Sequence, residues 1–270
     1  MRYAPPADHV LDVELVPAAE LRQRVARVEG RGVERVDFHC LIFVAGGHYE
    51  HTVDFEIHSC RAGSCLVIQP GQVHEFGAPT DWTGWMLIFR SELLAPRTEI
   101  LATHTRVTGR MAEAVDETLA RMSKDAAEVG DERARNALLR TEVEAVLMRL
   151  RLAEDTIAAH RPDDVVLERF RRFRSAVDRE FAQHHAVSYY ADLLGCSTKS
   201  LNRATREVAG VGAKAFVIER LVLEAKRLLA HTNLPVATIG ARLGFDEPTN
   251  FVKFFRRVTS TTPGRFRSLG

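Results

Sequence analysis

The stretch GFDEPTNFVKFFRRVTSTTPGRF, residues 244–266, reads as a turn followed by a helix with two unlike faces. Asp246 is placed to cap that helix, and Pro248 falls in its first turn, where a missing N–H costs little. At 100° per residue, Phe251, Phe254, Phe255 and Val258 fall within one arc of about 100°, a core-facing stripe. Thr249, Lys253 and Arg256 share the opposite face. The helix is therefore expected to anchor itself by aromatics and to present a polar, cationic ridge.

The same pattern occurs once before. ADLLGCSTKSLNRATREVAGVGAKAF starts at Ala191 and GARLGFDEPTNFVKFFRRVTSTTPGRF at Gly240. With one extra residue in the second turn, Leu201 aligns with Phe251, Arg203 with Lys253, Arg206 with Arg256, Val208 with Val258 and Phe216 with Phe266. Each copy reads as a short helix, a turn after Leu-Gly and a second helix, which is the helix-turn-helix pattern. Ser197 caps the second helix of the first copy. Along residues 198–209, Leu201, Ala204, Thr205 and Val208 form the apolar face, and Lys199, Asn202, Arg203 and Arg206 the opposite one. Between the copies, Ala213 to Thr232 contains no breaker. About 20 residues at 1.5 Å each make a rod of roughly 30 Å, close to the ~34 Å between successive major-groove faces of B-DNA.

A major groove admits an α-helix, Arg and Lys read guanine O6/N7, and Asn reads adenine N6/N7. The base-reading candidates are Lys199, Asn202 and Arg203 in the first copy and Thr249, Asn250 and Lys253 in the second. Arg206, Arg256 and Arg257 are better placed for phosphates. Any one of these residues could be an ordinary exposed side chain; two ridges in register argue against that for the set.

Charge supports the same partner. The 270-residue chain is nearly neutral, at +1, but residues 165–270 hold 18 Lys/Arg against 9 Asp/Glu, a net +9, which leaves −8 for residues 1–164. A basic segment of about 100 residues suggests a polyanion. No apolar run reaches the ~18–20 residues of a membrane span, and MRYAPPADHVLDVEL has no secretory core. The four cysteines lack metal-ligand spacing and are expected to be reduced, although Cys60 and Cys65 flank the turn RAGS and could face each other across a hairpin. The Ala- and Arg-rich composition suggests a GC-rich bacterial genome.

Toward the N-terminus, VDFHCLIFVA, HTVDFEIHSC, SCLVIQP and WMLIFR read as short strands separated by the turns GGHYE, RAG, PGQ and APTDWTG. That spacing suggests an all-β barrel or sandwich. Leu139, Val143, Val146 and Leu150 repeat at 4-3-4 spacing after a polar turn at Glu128–Glu132, a helical pair with a coiled-coil-like seam. AHRPDD is read as a linker. The expected order is α+β: residues 1–158, a linker at 159–164, and an all-helical domain at 165–270 whose first helix buries Phe170, Phe173, Val177 and Phe181.

The C-terminal ~105 residues resemble the DNA-binding domain of AraC/XylS-type transcriptional regulators. The resemblance rests on ADLLGCSTKSLNR, ERLVLEAKRLLAHTNLPVATIGARLGF and NFVKFFRRVTSTTPGRFR. Thr205 departs from it, where the family usually carries an aromatic, as do Pro248 and Thr249, where longer polar side chains are common. GSCLVIQPGQVHEF resembles the second motif of the family's cupin-like sensory barrel, while the His-x-His first motif is missing, so no metal or other cofactor is expected. The resemblance implies a small effector in the barrel, with Phe43, Phe55, His74 and Trp85 as candidate contacts, and a homodimer through Leu139, Val143, Val146 and Leu150, whose alternative is packing against their own barrel. It also implies double-stranded DNA and RNA polymerase as partners and a cytoplasmic, nucleoid-associated site of action. The competing class is a metal-dependent cupin enzyme with a helical appendage. A non-specific nucleoid protein would account for the charge but not for two capped helix-turn-helix units.

Overall fold

A computed structural model describes residues 11–26, 33–78, 81–93, 102–128, 130–157 and 163–269. The chain divides into two compact units between residues 159 and 160.

The first unit is built around one long strand. β1 (Val13–Pro17) and α1 (Ala18–Ala26) lead through the two-residue β2 (Glu34–Arg35) into β3 (His39–Val53), followed by β4 (Glu56–Arg61), β5 (Ser64–Ile68), β6 (Val73–Phe76), β7 (Trp82–Phe89) and β8 (His104–Arg106). The first half of β3 pairs antiparallel with β7 on one side and β5 on the other, in register Cys40↔Ile88 and Cys40↔Ile68. Its second half pairs with β4 and β6, in register His51↔His58 and His51↔Phe76. β1 extends the sheet beyond β7, β8 extends it beyond β5, and β2 pairs with β6. One strand shared by two half-sheets folds them into a barrel-like shell.

GGHYE is not a turn. β3 runs through it with a register shift between Val44 and Gly46, and a β-carbon at Gly47 (φ 79°) would lie 2.3 Å from the Asp81 carbonyl oxygen. The chain reverses further on, at Asp54 and Phe55, both at positive φ (50° and 72°). That geometry matches a two-residue hairpin of the primed class, inside a segment that alternates like a strand. The bulge changes which side chains face inward. Before it, Cys40, Ile42 and Val44 fill the shell; after it, Tyr49 and Val53 do, joined by Leu66, Ile68, Trp82, Met86 and Ile88.

The outward face of the sheet is covered by α2 (Arg110–Ala127) and α3 (Glu132–Ile157). Leu41, Phe43, Val67, Leu87 and Phe89 pack there against Val115, Leu119 and Met122 of α2 and Leu139, Val143, Val146 and Leu150 of α3. All four seam residues of α3 are 0% exposed within the single chain. A side chain with no surface left has none to offer a second copy, so this seam is intramolecular core. Cys60 faces the shell interior and Cys65 the helix-covered side. All four cysteines are free, and burial pushes the thiols of Cys40, Cys60 and Cys65 up, Cys60 to about 11.

The second unit is helical: α4 (Asp164–Glu180), α5 (Val187–Leu193), α6 (Thr198–Ala209), α7 (Ala213–His231), α8 (Val236–Arg242), α9 (Pro248–Thr259) and α10 (Pro263–Leu269). Residues 159–162 of the expected linker lie outside the described residues. Asp163 caps α4, accepting from the Val165 N–H at 2.8 Å, and Asp164 is its first residue. Phe170, Phe173, Val177 and Phe181 of α4 and its C-cap join Leu201, Val217, Leu221, Phe251 and Phe255 in one core. α7 packs against α4, α5, α6, α8, α9 and α10 and is the spine of the unit.

Candidate nucleic-acid interface and effector pocket

Each helix-turn-helix is set by a glycine turn. Gly195 (φ 62°) and Gly244 (φ 76°) occupy the left-handed region that the residue after each Leu needs. At Gly240 on α8, an added β-carbon would come within 2.9 Å of the Phe251 side chain, so this glycine lets α9 seat closely on α8. α6 starts where the sequence puts it: the Ser200 N–H donates to Ser197 Oγ at 3.1 Å. α9 starts one residue later than expected. Glu247 is its N-cap, without a side-chain hydrogen bond, and Pro248 is the first helical residue, so Asp246 stands outside the helix.

The inward faces agree with the sequence except at Val258. Leu201, Ala204, Thr205, Phe251 and Phe255 are all 0% exposed, while Val258 is exposed. Thr205 is made tolerable in the core by its hydroxyl, which donates to the Leu201 carbonyl at 2.9 Å, the i−4 back-bond open to a helical Thr.

The outward faces carry Lys199, Arg203 and Arg206 on α6 and Thr249, Asn250, Lys253, Arg256 and Arg257 on α9, all exposed. Among the described residues, none of these basic side chains has an ion pair; Arg257 lies over the Phe254 ring at 5.8 Å. Several other cations of the unit are occupied. Arg220 bonds Asp178 at 3.0 Å and Glu224 at 3.3 Å and lies 3.9 Å over Phe181. Arg227 reaches Glu224 at 3.3 Å, and Arg267 donates to the Leu234 carbonyl at 2.6 Å. Six cations without an ion pair, Lys199, Arg203, Arg206, Lys253, Arg256 and Arg257, thus stand on the two outward ridges. Asn202 is the exception among the candidates: it is half-buried, and its Oδ1 accepts from the Ala213 N–H at 3.1 Å. It holds the start of α7, and bidentate reading of adenine needs that same oxygen.

Residues 190–268 match the helix-turn-helix domain family and residues 22–143 the AraC-like ligand-binding domain family. The chain belongs to the AraC family of transcriptional regulators. It is 25% identical over 215 residues to the arabinose operon regulatory protein of Salmonella typhimurium, an alignment covering 77% of this chain and 76% of that one. It is 20% identical to the HTH-type transcriptional activator RhaS of Citrobacter koseri, over 86% and 85% of the two chains. A solved structure of ToxT from Vibrio cholerae spans 94% of this chain and 97% of that one at 9% identity, with a TM-score of 0.47. The AraC-family regulator is a sequence-specific DNA-binding protein with an effector-controlled N-terminal domain.

Within that domain, most of the expected effector contacts point elsewhere. Phe43 and Trp85 sit on the helix-covered side of the sheet, and the Trp85 Nε1–H donates to Asp116 of α2 at 2.8 Å. Phe55 lies in the hairpin turn. Only His74 faces the shell interior, 4% exposed, with Nδ1 3.0 Å from Nε2 of His51, whose Nδ1 is 2.7 Å from the Tyr49 hydroxyl. Desolvation, then His74 and His58, hold the His51 pKa well below 6.5, so His51 is neutral. Beside it, at the mouth of the shell, is a small cavity lined by Leu21, Arg22 and Val25 of α1 with Tyr49, Phe76, Gly77 and Trp82. This wall is hard to read in the sequence because α1 is a short helix that gains its meaning only against the shell, and the bulge at Gly46 exchanges the two faces of β3.

Proposed function

We propose that the regulator reads bases with Lys199 and Arg203 of α6 and Thr249, Asn250 and Lys253 of α9, and holds phosphates with Arg206, Arg256 and Arg257. The observation that carries this is the pairing of two outward ridges of uncommitted cations on two helix-turn-helix units. α7 between them has 19 residues, about 28 Å at 1.5 Å each, which suits entry into successive major-groove segments. The reading includes a homodimer, recruitment of RNA polymerase and action in the cytoplasm at the nucleoid. No helix among the described residues is long and apolar enough to cross a membrane.

The dimer belongs on the outer side of α3. Ala134, Leu138, Thr141, Ala145, Met148 and Leu152 recur at 4-3-4-3-4 spacing on the side of α3 turned away from the buried seam. Leu138, Met148 and Leu152 are 47%, 63% and 55% exposed, a stripe of the kind that zips two helices together.

The proposal is a regulator rather than an enzyme. A metal-dependent cupin enzyme is the weaker reading, because the two buried imidazoles direct facing nitrogens at each other and among the described residues no group of three or more His, Cys, Asp or Glu could hold a metal ion.

Binding selection of the full-length protein against random duplex DNA at ~150 mM salt tests the DNA reading. The expected result is a motif with two contact blocks about 10 base pairs apart. Enrichment of no motif, with or without the isolated second unit, would reject base reading by these ridges.

A further inference from the structure

The cavity beneath α1 has an uneven chemistry. Of its lining residues, Leu21, Val25 and Phe76 are apolar, Trp82 is apolar but for its indole N–H, and Arg22 and Tyr49 bring the other polar groups. Tyr49 and Trp82 stack at 4.7 Å and 26°, making a flat aromatic floor. Leu21, 6% exposed, fills the mouth of the shell from above, and the remaining cavity, about 20 Å³, has room for about one water.

Arg22 stands at the rim. It donates to the Trp82 carbonyl, and its nearest carboxylate among the described residues, Asp81, is 3.9 Å away and fully exposed to solvent. A water-facing ion pair at that distance compensates little. The guanidinium has five donors in a fork that fits a carboxylate, and the side chain is only 31% exposed.

We propose that this pocket takes a small apolar monocarboxylate, its ring or short chain on Tyr49 and Trp82 in the place of Leu21 and its carboxylate on Arg22. This rests on the barrel being the effector site. A sugar fits poorly: so few polar groups would leave several buried hydroxyls unpaired. The Tyr49 hydroxyl supplies the second polar contact. When His51 donates from Nδ1, the phenol proton is released toward the ligand. Entry displaces Leu21 and with it α1, which Arg24 otherwise ties to β1 through Glu14 at 2.7 Å, so α1 is the element that reports occupancy.

Trp82 in the floor provides the readout. Tryptophan fluorescence of the full-length protein is titrated with benzoate, hexanoate, benzyl alcohol and arabinose, and DNA binding is measured with each. Saturable binding of benzoate or hexanoate is expected, at least tenfold tighter than benzyl alcohol or arabinose. Arg22→Gln should weaken the acid at least tenfold and leave benzyl alcohol unchanged, while Arg22→Lys, which keeps the charge, should retain part of the affinity and controls for folding. Tighter binding of arabinose or benzyl alcohol, acid binding indifferent to Arg22→Gln, or no saturable acid binding overturns the proposal. A neutral compound that saturates the signal and shifts DNA binding would reject the carboxylate but keep the barrel as effector site. An acid that binds through Arg22 without altering DNA binding would keep the pocket and reject effector control.

Discussion

Asn202 has the donor and acceptor that read adenine and commits the acceptor to the first N–H of α7. Side-chain type alone could not separate those roles, because position 202 lies on the outward arc of α6 and only the approach of Gly212 makes it a cap. His51 is the counterpart inside the shell: a residue that reads as the polar start of a strand and is wholly buried. Its folded pKa is pushed well below 6.5 by desolvation, with His74 and His58 adding to it, whereas in the unfolded chain it titrates near 6.5. Above about pH 6.5 both states are neutral and this group contributes no pH dependence. Below that pH the unfolded state binds a proton the folded state refuses, so stability falls by about 1.4 kcal/mol per pH unit for one such group. Both tryptophans, Trp82 and Trp85, lie in the first unit, so urea melts followed by their fluorescence report that unit. Midpoints should drop clearly from pH 6.5 to 5.5 and less so in His51→Gln. A midpoint that holds steady over that interval in the native protein would contradict a neutral, buried imidazole.

At the scale of elements, α3 carries two stripes on nearly opposite faces, one sealed against the sheet and one facing solvent, and they should respond differently. Leu150→Ala opens a cavity in a fully buried position and should cost about 2–5 kcal/mol in stability. Met148→Glu should leave the melt nearly unchanged and turn the proposed dimer into a monomer in sedimentation. A Met148→Glu protein that still sediments as a dimer would move the interface elsewhere. Periodicity made α2, α3, α6, α7 and the 4-3-4 seam legible, because long amphipathic helices repeat a pattern that neighbouring residues cannot hide. The same periodicity could not say what covers the seam, since a coiled-coil stripe and a stripe packed on a sheet look alike in sequence. Strands were less legible for a physical reason. In β3 the bulge at Gly46 swaps the inward and outward sets, so one alternation carried along the whole strand gives the wrong face on one side of it. The reversal at Asp54–Phe55 lacks the glycine that normally marks such a turn. β1, α1 and β8 are short, and their apolar content becomes meaningful only once β7 and β5 are there to pair with or pack against.

For the whole molecule, near-neutrality conceals a basic unit of net +9 beside a segment of net −8, and the use made of each cation matters more than the total. Arg220, Arg227 and Arg267 are held by carboxylates or helix-end carbonyls, so they release few counterions when DNA binds. The contribution should come from the ridges. Each phosphate neutralised steepens the fall of log affinity with log salt by about 0.9. Arg256→Ala should therefore flatten the salt slope by about one and weaken binding evenly on cognate and scrambled duplexes. Arg203→Ala or Lys253→Ala should instead lose ~1–3 kcal/mol on the cognate site with a smaller loss on scrambled DNA, narrowing the gap between the two. Arg220→Ala should change neither slope nor discrimination, only stability. Mobility-shift titrations at several salt concentrations separate these outcomes. If all three ridge variants bind as the native protein does, α6 and α9 do not face the DNA. If Arg203→Ala and Arg256→Ala behave alike, the ridges hold the backbone and sequence is read by other residues.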